Sequence, residues 1–202
     1  MTGVQTCALP ISEGQPNAGT AHHKLHDESW AGMPMVPPTE VNNDNEHALP
    51  GQGRYLFPPS TAATLNLAAT AAQCARIWNG LDQPFADRCL AAAETAWQAA
   101  LENPGIYAGN TPGVGGGNYP DENLSDEFYW AAAELFITTG KQEYKDYLLS
   151  SKDFAAADAF DWGHVAPLGT ISLLSHETSL SAEQKAALQR AIIAYADELL
   201  KV

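Results

Sequence analysis

The stretch that decides the fold is YLFPPSTAATLNLAATAAQCARIW, residues 55–78. Pro58 and Pro59 keep a helix from starting earlier, and Ser60 is a favourable N-cap. The run from Thr61 to Trp78 then contains neither glycine nor proline. Its main polar residues occupy one narrow strip of the helix surface: Asn66, Thr70, Gln73 and Arg76. This pattern predicts a helix that is buried over most of its circumference.

Most of the chain after this helix also has the residue pattern of helices. Pro104 ends one amphipathic segment, Gly140 is a favourable left-handed C-cap, and Ser181 with Gln184 forms a capping box. No segment predicts a strand. The further helices are predicted at 85–102, 126–139, 141–150, 165–175 and 181–200, the last with an apolar stripe of Leu188, Ala191, Ile192, Tyr195 and Leu199.

Nearly all-apolar helices alternate with amphipathic ones along the chain. This alternation predicts an all-α fold with an inner and an outer layer, as in a double-ring helical barrel. Its alanine-rich helices allow close approach of their axes. A regular helical array would show a fixed repeat length, and none is found. Long irregular loops separate the helices, above all 12–53 and the glycine-rich 105–124.

Composition and charge limit the classes of function. The chain has 202 residues, is 45% hydrophobic and 17% charged, and carries a formal net charge of −14. Such an acidic protein repels phosphate backbones and anionic lipids, so nucleic-acid and membrane-surface partners are disfavoured. Residues 1–11 resemble a translated sequencing adapter and are left out of the fold argument. The remaining chain divides into an irregular arm at 12–53 and a helical part at 54–202.

The sequence also predicts the surroundings of several residues inside the helices. Cys74 and Cys89 lie about equally far from a turn near Leu81 and Asp82. They are either two small buried thiols or a pair close enough to bond. Glu134 in an apolar helix requires a buried partner such as an arginine or a backbone donor. Three tryptophans within helices are assigned to the core: Trp78, Trp97 and Trp130.

Four separated stretches, in one order, resemble glycoside hydrolase family 9, the cellulase-type endoglucanases. They are AHHKLHDESWAGMPM at 21–35, the run at 55–78, GGGNYPDENLSDEFYWAAAELFITTG at 115–140, and FDWGHVAPLG at 160–169. Four matches with consistent spacing are far more specific than one short motif. The resemblance implies a partial (α/α)6 barrel, with about half of its twelve helices in this chain.

The resemblance also implies hydrolysis of β-1,4-glucosidic bonds with inversion, acting on a β-glucan polysaccharide or cello-oligosaccharide. Inversion needs a general base and a general acid, typically about 6.5–9.5 Å apart. In the family the base lies in an upstream DAGD-type motif and the acid in an NE-type motif near the C-terminal end. Neither is found at the corresponding place here. The expectation is an internal piece of a secreted enzyme's catalytic domain, inactive without the N- and C-terminal parts of its barrel.

The residues that match the family's sugar-contacting positions are His23, Trp30, Tyr119 and Trp162. An indole stacks on the C–H face of a pyranose, and an imidazole hydrogen-bonds to hydroxyls. The alternatives are that the histidine and Trp30 only pin their loop, and that Trp162 only packs in the core. The glycines at 113–117 form no phosphate-binding motif.

The resemblance further implies a structural calcium ion held by Asp121, Asp126 and Glu127, although the chemistry itself requires no cofactor. Carboxylates at a helix start are also explained by the helix dipole alone. Asp161 would either complete the ligand set or cap a turn. A rival interpretation is a non-catalytic helical interaction module that holds a protein partner in alanine-rich grooves. Titration with cello-oligosaccharides, followed by tryptophan fluorescence, separates the two.

Overall fold

The computed structural model describes residues 17–27, 54–109 and 119–201. All the predicted helices are present, with ends within two residues of those expected. They are α1 Thr61–Trp78, α2 Gln83–Glu102, α3 Ser125–Thr139, α4 Gln142–Ser150, α5 Ala166–Ser175 and α6 Ala182–Leu199. None of these described helices is long and apolar enough to cross a membrane. The partial helical-barrel prediction is therefore confirmed at the level of its elements.

Two short antiparallel pairs precede the helices. β1 (Ala21–His22) pairs with β4 (Pro59–Ser60), and β2 (Leu25–Asp27) pairs with β3 (Arg54–Leu56). The expectation of no strand is wrong, because strands of two or three residues are too short to show an alternating pattern of polar and apolar residues. These pairs hold His23 beside the start of α1.

The helix ends follow the local signals. The Ser60 hydroxyl accepts a hydrogen bond from the Ala63 amide at 3.1 Å. Both bonds of the Ser181 capping box are made. Gly140 adopts φ 68° and donates to the Phe136 carbonyl at 2.8 Å, which is the expected left-handed cap. Capping thus explains why the helix boundaries could be placed from sequence.

Burial divides the helices into two layers. α1 and α3 bury ten of eighteen and eleven of fifteen residues, whereas α2 and α4 bury six of twenty and two of nine. α1 packs against α2 and α3, and α3 packs against α4 and α5. The inner layer is therefore α1, α3 and α5, and α2, α4 and α6 lie outside it.

Two contacts fix the spacing within the inner layer. A Cβ on Gly169 of α5 would lie 3.0 Å from a ring carbon of Tyr129 and 3.2 Å from the Trp130 Cα, so only glycine lets these helices approach so closely. On the other side of α3, the fully buried Glu134 carboxylate accepts from the Arg76 guanidinium and the Gln73 amide, both at 2.8 Å. The expected arginine partner of Glu134 is confirmed.

Two core assignments need correction. Trp97 and Trp130 are buried as expected, but Trp78 is 42% exposed. It occupies the last position of α1, where its ring makes a T-shaped contact with that of Phe85, with the ring centroids 5.4 Å apart. The predicted stripe of α6 is correct except at its C-terminal end: Leu188 is buried and Ala191, Ile192 and Tyr195 are half-buried, but Leu199 is 57% exposed.

Candidate functional site

A cavity of about 630 Å³ follows the groove between α1 and α2. Along α1 its wall runs from Ala62 to Cys74, about 18 Å at 1.5 Å per residue. Near the start of α1 the wall includes His22, His23, Tyr119, Asp121 and Trp162. Three of the four predicted sugar-contacting residues thus meet at one end of one cavity; the fourth, Trp30, lies outside the described residues.

The histidines are held by the strand pairs. The His22 ring nitrogen Nδ1 lies 2.8 Å from the Phe57 carbonyl oxygen, and the His23 Nδ1 lies 3.2 Å from the Ser60 hydroxyl. These contacts pin the 17–27 segment to the N-terminus of α1. Both rings also line the cavity. His23 therefore combines the pinning role with a position suited to ligand contact.

Tyr119 and Trp162 form an exposed aromatic pair. Their ring centroids lie 5.6 Å apart in a T-shaped arrangement, and the residues are 46% and 58% exposed. Trp162 therefore does not pack in the core, which removes the alternative raised for it. Aromatic faces left open beside a cavity are suited to stacking against an apolar ligand surface.

The turn that contains Trp162 is held by hydrogen bonds. The Asp161 carboxylate accepts from the Gly163 amide at 2.8 Å, so Asp161 caps its own turn. The His164 Nε2 lies 2.9 Å from the Asp158 carboxylate, and this hydrogen bond raises the pKa of His164 above its usual value. The turn thus fixes the backbone on both sides of Trp162.

Lys24 brings a positive charge to the aromatic end of the cavity. Its Nζ lies 4.4 Å from the Phe57 ring centroid and 5.4 Å from that of Tyr119, both within cation–π range. Burial lowers the pKa of this lysine. The ammonium therefore helps to hold the Tyr119 ring in place.

Asn66 was not singled out from the sequence, because it lies in the polar strip of α1. In the structure this strip divides: Gln73 and Arg76 turn to Glu134, whereas Asn66 and Thr70 line the cavity. The Asn66 Oδ1 is buried and has no hydrogen-bond partner among the described residues. A buried acceptor without a donor is uncommon in folded proteins, so Asn66 is suited to a ligand hydroxyl.

Asp126 has a structural role. Its Oδ1 accepts from the Asn123 side-chain amide at 3.0 Å, and its Oδ2 accepts from the Val165 backbone amide at 2.8 Å. The buried carboxylate thus joins the start of α3 to the residue that precedes α5. Since both of its oxygens already have protein donors, it is less available to an ion than its neighbours are.

Glu127 is the most unusual group in this region. It is 1% exposed, and among the described residues neither of its carboxyl oxygens has a hydrogen-bond partner by distance and angle; the same holds for Oδ2 of Asp121. Burial, and then the nearby carboxylates of Asp121 and Asp126, raise the pKa of Glu127 to about 10. Within the described ranges no three His, Cys, Asp or Glu side chains already form a metal-holding group.

The inner and outer helices, with an aromatic cavity at the start of α1, form part of a double-layered α/α barrel. The model of glycosyl hydrolase family 9 matches residues 13–201, and the chain belongs to this family. The conclusion agrees with the four sequence stretches, which are spread over the same region.

The similar proteins include a cellobiosidase and an endoglucanase. The chain is 45% identical to a cellulose 1,4-beta-cellobiosidase of Acetivibrio thermocellus, with 91% of this chain and 22% of that protein covered. It is 42% identical to endoglucanase C of Cellulomonas fimi, with 96% and 17% covered. The chain therefore spans about a fifth of the length of these curated relatives.

Solved structures show the same fold. A Bacteroides ovatus family 9 structure superposes with a TM-score of 0.77 at 30% identity, over 93% of this chain and 34% of that one. A metagenome-derived family 9 endoglucanase superposes with a TM-score of 0.71 at 30% identity, over 89% and 31%. The described helices thus correspond to about a third of these larger chains.

Proposed function

We propose that this chain supplies part of the substrate cleft of an inverting endo-β-1,4-glucanase that acts outside the cell on cellulose or related glucans. Family membership and the names of the cellulase relatives support the proposal. The observation that carries it is the meeting of His23, Tyr119 and Trp162 at one cavity, where two of the three rings are exposed.

The chemistry of this cavity suits an uncharged sugar. A pyranose ring presents C–H groups on its faces and hydroxyls at its edge, so it matches the Tyr119–Trp162 pair and the His23 ring. The unpaired Asn66 Oδ1 would accept from a sugar hydroxyl. Trp30 is proposed as a further stacking platform on the basis of the family resemblance.

The acid and base are proposed to come from other parts of the full-length protein. The sequence contains no DAGD motif. Of the buried glutamates on α3, Glu134 is engaged by Arg76 and Gln73, and Glu127 does not itself line the cavity. Neither glutamate is proposed as a catalytic group.

A direct assay tests the catalytic part of the proposal. Purified 1–202 is expected to release no reducing sugar from carboxymethylcellulose above a heat-inactivated blank, because inversion needs both carboxyl groups. Measurable hydrolysis would show that the chain carries its own acid and base.

Binding tests the cleft separately. Titration with cellohexaose, followed by tryptophan fluorescence, should give a saturable change that Trp162→Ala removes and Asn66→Ala weakens. Trp78→Ala is the matched control, because Trp78 is also exposed but does not line the cavity. If the wild-type protein shows no fluorescence change, or if both tryptophan variants lose the change equally, the rival interpretation as an interaction module would be favoured.

A calcium ion is also proposed. The unpaired oxygens of Glu127 and Asp121 are buried hard donors of the kind calcium prefers, and Asp126 would hold the adjoining segment. When bound, the ion would supply structural cross-linking of the α3 start rather than catalysis.

Calcium binding can be measured as stabilisation. Calcium in excess over EDTA should raise Tm, since a ligand that binds only the folded state stabilises it. Glu127→Gln should abolish the shift, whereas Glu122→Gln, at an exposed neighbouring position, should retain it. An equal shift in both variants would exclude Glu127 as a ligand.

A further inference from the structure

Two thiols meet at the far end of the cavity from the aromatic pair. Cys74 of α1 and Cys89 of α2 are unbonded and half-buried, and their sulfurs lie 3.1 Å apart. Both line the cavity wall. They are therefore close to each other and within reach of a small reagent that enters the cavity.

The hairpin explains this proximity. α1 ends at Trp78 and α2 begins at Gln83, so the two cysteines lie at matching heights on neighbouring antiparallel helices. The small buried residues on either side let the helix axes come close: Ala71, Ala75, Ala86 and Ala93. These small residues allow the unusually close helix approach that a bond between two helices requires.

Other uses of the pair fit less well. Among the described residues no third His, Cys, Asp or Glu joins them to form a metal-holding group. Burial, and then the hydrogen bond with Cys74, raises the pKa of Cys89 to about 11, so this thiol is a poor nucleophile at neutral pH. Oxidation of the two thiols to one disulfide remains as the reaction that the geometry favours.

We propose that Cys74 and Cys89 form a reversible disulfide that joins α1 to α2 at this end of the cavity. A covalent S–S bond is about 2.04 Å long, so the sulfurs need to approach by only about 1 Å. With oxidised glutathione as the oxidant, two protein thiols and one glutathione disulfide give one protein disulfide and two glutathione thiols. The proposal is independent of the glucanase assignment.

The product can be identified directly. In a Cys7→Ser background, which removes the third cysteine, the chain is treated with oxidised glutathione at pH 8.5, alkylated and digested with trypsin. Cleavage after Arg54, Arg76, Arg88 and Lys141 places the two cysteines on separate peptides, 55–76 and 89–141. The expected result is one cross-linked peptide pair, which dithiothreitol separates.

Stability supplies the second measurement. The closed loop is short, since the cysteines are 15 residues apart. Oxidation should still raise Tm by on the order of 5 °C. The matched variant Cys7→Ser/Cys89→Ser should show no shift. The equilibrium constant for pairing with oxidised glutathione should also be at least about tenfold larger under native conditions than in urea, because the fold holds the thiols together.

Three outcomes would overturn the proposal. The first is glutathione on each cysteine without a cross-link. The second is a dimer joined through these residues. The third is a cross-linked chain with a lowered Tm, which would show that the bond forms only by distorting the hairpin.

Discussion

Helices α3 and α6 lie in the same chain but have opposite surroundings. α3 buries eleven of its fifteen residues, including the carboxyl side chains of Asp126, Glu127 and Glu134. α6 buries only Leu188 of its eighteen, although it is amphipathic by sequence. The difference shows that amphipathic patterning indicates which face can be buried, whereas neighbouring helices determine how much of it is buried.

The neighbours account for the difference. α3 packs against α1, α4 and α5, so each of its faces meets another helix. α6 packs against α5 and leaves Ile193 and Leu199 more than half exposed. We therefore expect the free energy of unfolding to respond strongly to changes in α3 and weakly to the same changes in α6.

The largest effect is expected from truncation of a core leucine. Leu135 of α3 is fully buried, and Leu135→Ala should lower the free energy of unfolding by about 3 kcal/mol through lost burial and a residual cavity. Leu199→Ala is the control on α6 and should cost less than about 0.5 kcal/mol. Urea denaturation of both variants measures this difference. Similar losses in the free energy of unfolding would show that α3 and α6 do not differ in this way.

The next effect concerns the buried ion pair. Glu134→Gln leaves the Arg76 charge without its carboxylate in a mostly buried position, which should cost about 2 kcal/mol. Glu198→Gln on the exposed face of α6 should change the free energy of unfolding by less than about 0.5 kcal/mol. If Glu134→Gln were neutral, the Arg76–Glu134 ion pair would add nothing to the packing of α1 against α3.

Helix caps give a smaller contrast between inner and outer helices. Ser181→Ala should cost about 1 kcal/mol, through loss of the capping box of α6. Ser60→Ala should cost more, about 2 kcal/mol, because the buried Ser60 hydroxyl caps α1 and also contacts His23. Thermal or urea unfolding compares the two, and the reverse order would show that the His23 contact adds nothing.

The smallest effect is expected at Ile193. This residue is 59% exposed, so Ile193→Lys should change the free energy of unfolding by less than about 0.5 kcal/mol. The measurement is urea denaturation at several protein concentrations. A loss above about 1 kcal/mol would mean that this face of α6 is covered in solution.

Helix positions were predictable because their ends carry local signals. Ser60, Ser181 and Gly140 act within one turn of the chain, so no tertiary information is needed to recognise them. The strand pairs were missed because β1 and β4 depend on contacts across 37 to 39 positions of sequence. The exposure of Trp78 was missed because burial at a helix end depends on what lies beyond it.

The candidate site was predictable only in part. His23, Tyr119 and Trp162 came from the family resemblance, and the structure brings them to one cavity. Asn66 was taken as part of a polar strip, since periodicity cannot show whether that strip faces solvent or a cavity. The unpaired oxygens of Glu127 were equally hidden, because a helix-start glutamate usually has water or backbone donors nearby.

The carboxylate of Asp126 is expected to couple the motions of Tyr119 and Trp162. By accepting from Asn123 and from Val165, it anchors both the segment after Tyr119 and the turn after Trp162 to one point. The two rings also touch, so their fluctuations should be correlated although 43 positions separate them in sequence. A sugar that stacks on either ring would then meet a pair that moves as one body, and less entropy would be lost on binding.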